Sequence, residues 1–151
     1  MRSFVDTNVL VYADDDAAVE KQARARELIQ ELFESGNGVL SLQVLREYFV
    51  TATGKLGIAA EAARRKVEIY SRFDIAGSDV ADLLAAIDLY RLHGLSLWDA
   101  LVVQSALAAR CSVLYSEDLQ HGRQFGALRV ENPFAESPPP HQRSGARKRK
   151  S

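Results

Sequence analysis

Ser3-Phe4-Val5, followed directly by Asp6-Thr7-Asn8, is the stretch of sequence that decides the fold. The first three residues form a short β-favouring run, and the next three are types that favour helix caps and turns. We therefore predict a buried strand that ends at Asp6. In α/β sheets, ligands bind beyond the carboxyl ends of the strands, so Asp6 stands where a functional side chain is expected.

The rest of the chain alternates between helical and β-favouring patterns. Apolar residues recur at helical spacing in five segments, residues 19–33, 42–53, 59–73, 78–93 and 97–110. Short β-favouring runs occupy residues 39–41, 111–115 and 128–130, and the link at 74–77 can carry a further strand. Ser78 and Asp82 suit the start of the fourth helix. This alternation predicts an α/β fold, in which a mainly parallel sheet has helices on both faces.

Length and composition indicate one globular domain with a short tail. The chain has 151 residues, of which 47% are hydrophobic and 26% charged, and these values suit a single ordered core. We place the domain at residues 1–135. From Glu136 onward the sequence becomes Pro-rich and then basic, so residues 136–151 are predicted to be a disordered tail. The tail either contacts phosphate or is a solvated terminus, and the sequence leaves both open.

The charge of the predicted domain is unusual for a protein that binds nucleic acid. Five of the nineteen basic residues lie in the tail, and residues 1–135 keep fourteen basic against nineteen acidic residues, a net charge of −5. Nucleic-acid-binding domains normally carry a basic surface. The acidity must therefore be explained by a site that uses it.

The single cysteine, Cys111, excludes a disulfide framework and a thiolate zinc site. No His or Asp pattern accompanies it, so we interpret it as a buried apolar residue and not as a nucleophile. The sequence contains no apolar run of about 18 residues and begins without an export signal. We expect a cytoplasmic protein without membrane contact.

Four acidic residues lie just after predicted strands or near the starts of helices. Asp6 follows the first strand, Glu47 lies in the first turns of the helix after the second, Asp99 is near a helix start, and Asp118 follows the run that ends at residue 115. Like charges at close range cannot all ionise without a compensating cation. Carboxylate oxygens suit Mg²⁺ or Mn²⁺, and the chain has no paired histidines or cysteines for zinc. Such a site suits hydrolysis of a phosphodiester bond by metal-activated water.

The four acids lie in four motifs, Phe4-Val5-Asp6-Thr7-Asn8-Val9-Leu10, Ser41-Leu42-Gln43-Val44-Leu45-Arg46-Glu47, Trp98-Asp99-Ala100 and Ser116-Glu117-Asp118-Leu119. Taken in order, these motifs resemble those of PIN-domain ribonucleases, and most closely the VapC toxins. The likeness runs from Phe4 to about Phe134 and so covers the whole predicted domain. It implies a three-layer α/β/α sandwich and an endoribonuclease that depends on Mg²⁺ or Mn²⁺. It also implies an RNA substrate, a homodimer, and inhibition by a cognate antitoxin.

The resemblance also assigns roles to individual residues. The catalytic acids that it implies are Asp6, Glu47, Asp99 and Asp118. The metal ligands expected among them are Asp6, Asp99 and Asp118. The supporting polar positions, which can hold ligands or a phosphate oxygen, are Thr7, Asn8 and Ser116. Glu117 is an additional carboxylate, and its role stays open.

Three other features have both a functional and an ordinary interpretation. The adjacent acids at 14–16 resemble a metal cluster, but we interpret them as solvated loop residues. Trp98 could stack on an RNA base, but we predict that it is a core residue beside the site. Arg46 and Arg123 either meet phosphate or form ion pairs with the acidic surface.

Two alternatives to the ribonuclease remain. An Asp-nucleophile phosphatase would need a second acid where Asn8 stands. A PIN-like scaffold or phospho-acceptor signalling domain would bind a protein partner without nuclease activity. The apolar helical faces of residues 19–33 and 42–58 offer grooves for an amphipathic partner segment, with core packing as the alternative.

Overall fold

The computed structural model describes residues 1–135, and the predicted tail at residues 136–151 lies outside the described residues. The described part of the chain forms one six-stranded sheet. Its strands are β1 Ser3–Val5, β2 Gly38–Ser41, β3 Asp74–Ala76, β4 Val113–Tyr115, β5 Gln124–Phe125 and β6 Leu128–Glu131. They are arranged in the order β3-β2-β1-β4-β6-β5, and every neighbouring pair is parallel except β5 with β6. The mainly parallel sheet predicted from the sequence is confirmed.

The helices pack in two groups that flank the sheet. They are α1 Thr7–Tyr12, α2 Val19–Ser35, α3 Leu42–Gly54, α4 Ala60–Tyr70, α5 Val80–His93 and α6 Leu97–Ala108. In the first group α1 packs on α2 and α3, and α3 packs on α4. In the second group α5 packs on α6, which contacts β2, β3 and β4. Strands and helices together confirm the α/β architecture. No helix within residues 1–135 is both long and apolar enough to cross a membrane.

Three local features differ from the sequence prediction. Helix α1 was not predicted, and Asp6 is its N-cap, because the Asp6 side chain accepts a hydrogen bond from the Thr7 N–H. Helix α5 begins after Asp79 and not at Ser78, since Asp79 and Asp82 form a reciprocal capping box. Strand β5 was also missed. Each missed element has six residues or fewer, which is too short for a periodic pattern to show.

The parallel strands β1, β2 and β4 bring the predicted acids to one edge of the sheet. Val5, the last residue of β1, pairs with Tyr115, the last residue of β4, and the Asp6 N–H donates to the Tyr115 carbonyl oxygen at 2.9 Å. Phe4 and Val5 are fully buried, so this central register is fixed by the core. The residues that follow β1 and β4 are therefore neighbours.

Candidate active site

Asp6 lies at the centre of the site and is only 4% exposed. Its two carboxylate oxygens have different donors. The Thr7 N–H donates to Oδ1 at 2.7 Å, and the Ser116 hydroxyl donates to Oδ2 at 2.8 Å. The orientation of the Asp6 carboxylate is thereby fixed from two segments of the chain that are 110 positions apart.

Ser116 connects Asp6 to the loop that carries Asp118. The Ser116 side chain is fully buried, and its hydroxyl oxygen accepts a hydrogen bond from the Asp118 N–H at 3.1 Å while it donates to Asp6. Asp118 itself is exposed. The Ser116 hydroxyl therefore orients both the buried Asp6 carboxylate and the backbone of the exposed Asp118.

Glu47 joins the site through Thr7 and Gln43. The Thr7 hydroxyl donates to Glu47 Oε1 at 2.8 Å, and the Gln43 amide donates to Glu47 Oε2 at 3.3 Å. The same Gln43 amide lies 3.4 Å from the Trp98 carbonyl oxygen, to which it also donates. Gln43 thus links α3 to the start of α6. Sequence reasoning missed it, although its position four residues before Glu47 on one helix places both on the same face.

Asp99 lies in the first turn of α6, where Ser96 is the N-cap. The Ser96 hydroxyl oxygen accepts a hydrogen bond from the Asp99 N–H at 3.1 Å. This cap fixes the helix start, and the Asp99 carboxylate is half-buried. Asp99 also fits the ordinary interpretation of an acid near the positive end of a helix dipole. That interpretation does not explain the negative charges of Asp118 and Glu47 near it.

Electrostatics show that the four acids act on one another. Burial raises the pKa of Asp6 to about 7; hydrogen bonds from Ser116 and Thr7 oppose this rise, and the negative charges of Asp118 and Asp99 add to it. Burial also raises the pKa of Asp99 above its usual value, as do the charges of Asp118 and Glu47. Among residues 1–135 no lysine or arginine contributes to either shift. The structure therefore brings all four predicted acids into one electrostatic cluster.

The donor set of this cluster fits a hard divalent cation. It offers carboxylate oxygens, which Mg²⁺ and Mn²⁺ prefer, and it has like charges without a basic partner in the described residues. As the side chains stand, no three Asp, Glu, His or Cys groups within residues 1–135 converge on one ion. Mg²⁺ commonly binds through one or two carboxylates and several waters, so a three-ligand enclosure is not required for it.

Asn8 faces the loop that contains Glu117. Its Oδ1 accepts a hydrogen bond from the Glu117 N–H at 3.2 Å. Its Nδ2 is buried and has no hydrogen-bond partner within the part of the chain that the structure describes. Asn8, which lies on α1, therefore supports the 116–118 loop, and its buried Nδ2 donor has no partner among the described residues.

Glu117 is turned away from the cluster that its neighbour Asp118 joins. Its carboxylate accepts from the Tyr12 hydroxyl at 2.8 Å and forms an ion pair with Lys21. Burial alone would raise the pKa of Glu117, but the hydrogen bonds from Lys21 and Tyr12 outweigh it, and the pKa lies below its usual value. The Lys21 ammonium also lies 4.7 Å from the centre of the Tyr12 ring. Glu117 thus has its own cation, unlike the four acids.

Several secondary interpretations can now be judged. Trp98 is 63% exposed, so its prediction as a core residue is wrong. Cys111 is 5% exposed, and burial raises the pKa of its thiol to about 11, which confirms it as a buried, unreactive residue. Asp14 is not a solvated loop acid, because Tyr48 and Lys66 bind its carboxylate. The predicted solvation fails there since the loop packs against α3 and α4.

Neither candidate phosphate-binding arginine forms an ion pair within residues 1–135. Arg123 donates to the carbonyl oxygen of His93 at 3.1 Å and lies over the Phe125 ring. Arg46 is exposed on α3, one residue before Glu47. The ion-pair interpretation of both is wrong for the described part of the chain, and Arg46 remains next to the site.

Comparison with known proteins agrees with this fold. Residues 3–124 match the family model of the PIN domain. A search among curated proteins finds no significant match in sequence.

Solved structures provide similar folds at low sequence identity. A toxin–antitoxin complex from Klebsiella pneumoniae has a chain with a TM-score of 0.66 and 18% identity, covering 87% of this chain and 98% of that one. VapC20 of Mycobacterium tuberculosis, a sarcin-ricin loop cleaving toxin, has a TM-score of 0.60 and 18% identity, covering 76% and 88%. VapBC2 from Rickettsia felis, bound to a DNA fragment from its promoter, has a TM-score of 0.59 and 20% identity, covering 87% and 98%.

Proposed function

The chain belongs to the PIN domain family, and from this premise we propose that it is a divalent-metal-dependent endoribonuclease, the toxin of a toxin–antitoxin pair. One observation carries the proposal. At the carboxyl edge of the sheet, the charges of Asp118 and Asp99 add to the raised pKa of Asp6, those of Asp118 and Glu47 add to that of Asp99, and no basic residue among residues 1–135 offsets either shift. A protein keeps such a cluster at a cost in stability, and a cation removes that cost.

The residues divide into those that bind and those that orient. Asp6, Asp99 and Asp118 would hold Mg²⁺ or Mn²⁺, and a bound ion of this kind supplies a nucleophilic water and neutralises charge on the scissile phosphate. Because the pKa of Asp6 is about 7 without the ion, its carboxyl group releases a proton when it becomes a ligand near neutral pH. Ser116 then holds one Asp6 oxygen in place through its hydroxyl.

Glu47 is oriented by two donors, and we propose that it accepts the proton of the attacking water. The Thr7 hydroxyl donates to Oε1 at 2.8 Å, whereas the Gln43 amide donates to Oε2 at the longer distance of 3.3 Å. The hydrogen bond to Oε2 is the weaker one, so Oε2 is the oxygen better able to accept the proton. Thr7 thus supports a catalytic side chain. The supporting role proposed for Asn8 is to hold the 116–118 loop through Glu117.

The cleavage assay is the direct test. The purified chain, freed of any antitoxin, should cleave single-stranded RNA in Mg²⁺ or Mn²⁺ and not in EDTA. Asp6→Asn and Asp99→Asn should each lower the rate by about 10²-fold to 10³-fold, the range in which loss of a key electrostatic group falls. Asp88→Asn, at an exposed acid on α5, is the matched control and should cleave as wild type does. Equal cleavage by Asp6→Asn would falsify the proposal.

One observation favours a second candidate, a PIN-like scaffold without nuclease activity. The side chains of residues 1–135 do not form a three-ligand cluster as they stand. Calorimetry separates the two functions. A nuclease binds Mn²⁺ with release of protons, whereas a scaffold binds its protein partner equally well in EDTA and shows no heat with Mn²⁺.

The antitoxin partner that we propose would bind the groove between α3 and α4. Leu42, Phe49 and Val50 of α3 are exposed and line this groove with Val67 of α4. The lining also includes two cations, Arg46 and Arg64. An amphipathic antitoxin segment with apolar residues and flanking acids fits this lining. Val50→Glu should weaken complex formation without changing cleavage by the free toxin.

We propose a homodimer through the exposed apolar face of α5. The large apolar residues exposed on this helix are Val80, Leu83, Leu84, Tyr90 and Leu92. Exposed apolar patches of this kind mark interaction surfaces in water-soluble domains. Light scattering should show a dimer for the wild type and a monomer for Leu84→Glu.

A further inference from the structure

Trp98 is the only tryptophan of the chain, and it is 63% exposed beside the acid cluster. It lies in the first turn of α6, directly before Asp99. Leaving a large aromatic side chain in water forgoes the free energy of its burial, and a ligand that covers the indole would recover it. Its neighbour in sequence, Asp99, is one of the acids of the site.

The backbone of Trp98 is held in place by the same amide that orients Glu47. Gln43 Nε2 donates to the Trp98 carbonyl oxygen at 3.4 Å and to Glu47 Oε2 at 3.3 Å. Ser96 caps the same helix turn. The Trp98 backbone is therefore fixed to α3 by the amide that also binds Glu47, and it directly precedes Asp99 in α6. A rigid aromatic anchor loses little conformational entropy when it binds a ligand.

Electrostatics determine which ligand such an anchor can take. Residues 1–135 have a net charge of −5, and none of the ion pairs within these residues involves Asp6, Glu47, Asp99 or Asp118. The side chains of residues 1–135 are therefore a poor source of phosphate contacts for RNA. Stacking on a base needs no positive charge, because every base presents an uncharged aromatic face. Only unpaired bases have that face free.

We propose that Trp98 is a stacking platform for an unpaired RNA base next to the cleaved phosphodiester, and that it restricts cleavage to single strands and loops. The inference rests on the proposed function, since it takes RNA to be the substrate. It assigns to Trp98 a binding and specificity role, while the carboxylates keep the chemistry.

The single tryptophan makes the test direct, because all tryptophan emission comes from Trp98. The full-length Asp6→Asn variant, which leaves RNA intact, is titrated in Mg²⁺ with a labelled single-stranded oligoribonucleotide and with its duplex. Anisotropy of the label reports binding, and tryptophan emission reports stacking. The single strand should quench the emission, and the duplex should not.

Substitutions give the size of the effect. Trp98→Ala in the same background should raise Kd for the single strand by about 5-fold to 100-fold, the loss expected for one stacked base. Trp98→Phe should recover most of the affinity. Ile69→Ala is the matched control, since Ile69 is an exposed apolar residue on α4, and it should leave Kd unchanged. An abasic nucleotide beside the mapped cleavage position should reproduce the Trp98→Ala loss and add nothing to it.

The outcomes separate this inference from the proposed function. Normal cleavage by Trp98→Ala in the active background, with an unchanged Kd and an unchanged preference for single strands, overturns the inference alone. Quenching by RNA without any cleavage by the wild type overturns the proposed nuclease and leaves the stacking site standing. Emission that depends on protein concentration without RNA would place Trp98 in a contact between copies and overturn it. Absence of RNA binding overturns both.

Discussion

Two acids at the carboxyl edge of the sheet, Asp6 and Asp99, differ from two other partly buried acids of the same molecule, Asp14 and Glu117. Asp14 is bound by Lys66 at 3.1 Å, and Glu117 by Lys21. Asp6 and Asp99 have no such cation among the described residues, and their pKa values are raised where that of Glu117 is lowered. The fold therefore has lysines available for its acids and uses none at the edge. Asp6 and Asp99 thus lack the lysine partners that Asp14 and Glu117 have.

The largest expected effect on stability comes from Asp6→Asn in the metal-free protein. The pKa of Asp6 rises from an ordinary 3.8 to about 7 on folding, so ionisation favours the unfolded state. Between pH 4 and 7 the wild type should lose up to about 4 kcal/mol of stability in EDTA, and the penalty should stay constant above that range. Asp6→Asn should remove the penalty and be the more stable protein at pH 8.

Denaturant unfolding in EDTA at pH 4.5 and pH 8 checks this sign. Mg²⁺ should stabilise the wild type at pH 8 and have little effect on Asp6→Asn, because binding to the folded state alone raises stability. A variant less stable than the wild type at pH 8 would show that Asp6 is compensated after all.

Ser116→Ala should weaken metal binding at the site without adding or removing a charge. The hydroxyl donates to Asp6 and accepts from the Asp118 N–H, so its loss frees both ligands. Loss of a side chain that orients metal ligands typically lowers metal affinity by about 10-fold to 100-fold. Calorimetry with Mn²⁺ measures this, and Ser112→Ala, at an exposed serine before β4, serves as the control. Unchanged Mn²⁺ affinity would remove Ser116 from the site.

The sequence predicted the positions of the acids at the carboxyl edge of the sheet better than those of the residues around them, and the reason is physical. Asp6 and Asp118 follow buried strands, and parallel register alone brings strand ends together, so their proximity needed no tertiary detail. Glu47 and Asp99 depended only on helices that begin near the same edge.

The surroundings depended on contacts that no local pattern reports. Lys21 and Glu117 are 96 positions apart, and only the packing of α2 beside the loop after β4 pairs them. Apolar residues lie on several sides of the first turns of α6, so periodicity could not show that Trp98 is exposed. Gln43 was missed because a glutamine on a helix surface is ordinary in sequence.

Asp14→Asn should lower the stability of the protein, whereas Asp6→Asn should raise it. Asp14 accepts from the buried Tyr48 hydroxyl and from Lys66, and its side chain is only 13% exposed. Neutralising it leaves the Lys66 ammonium without its partner and should cost about 1–3 kcal/mol at pH 7, while RNA cleavage per folded molecule stays at the wild-type rate. Asp16→Asn, at an exposed neighbour, should change neither quantity. A stabilising Asp14→Asn would erase the distinction between the two groups of acids.

Glu117→Gln should have the smallest effect, and it tests the distinction at its narrowest point, because Glu117 and Asp118 are adjacent in sequence. The Glu117 ion pair with Lys21 is partly exposed, so its loss should cost about 1 kcal/mol or less. The Glu117 N–H still donates to Asn8, so the loop backbone keeps its position. Mn²⁺ affinity should therefore stay within about fivefold of the wild type, the change that 1 kcal/mol allows, whereas Asp118→Asn should lower it well beyond that. If the two variants weakened Mn²⁺ binding equally, adjacency to the site and not the presence of a lysine would decide which acids bind the metal.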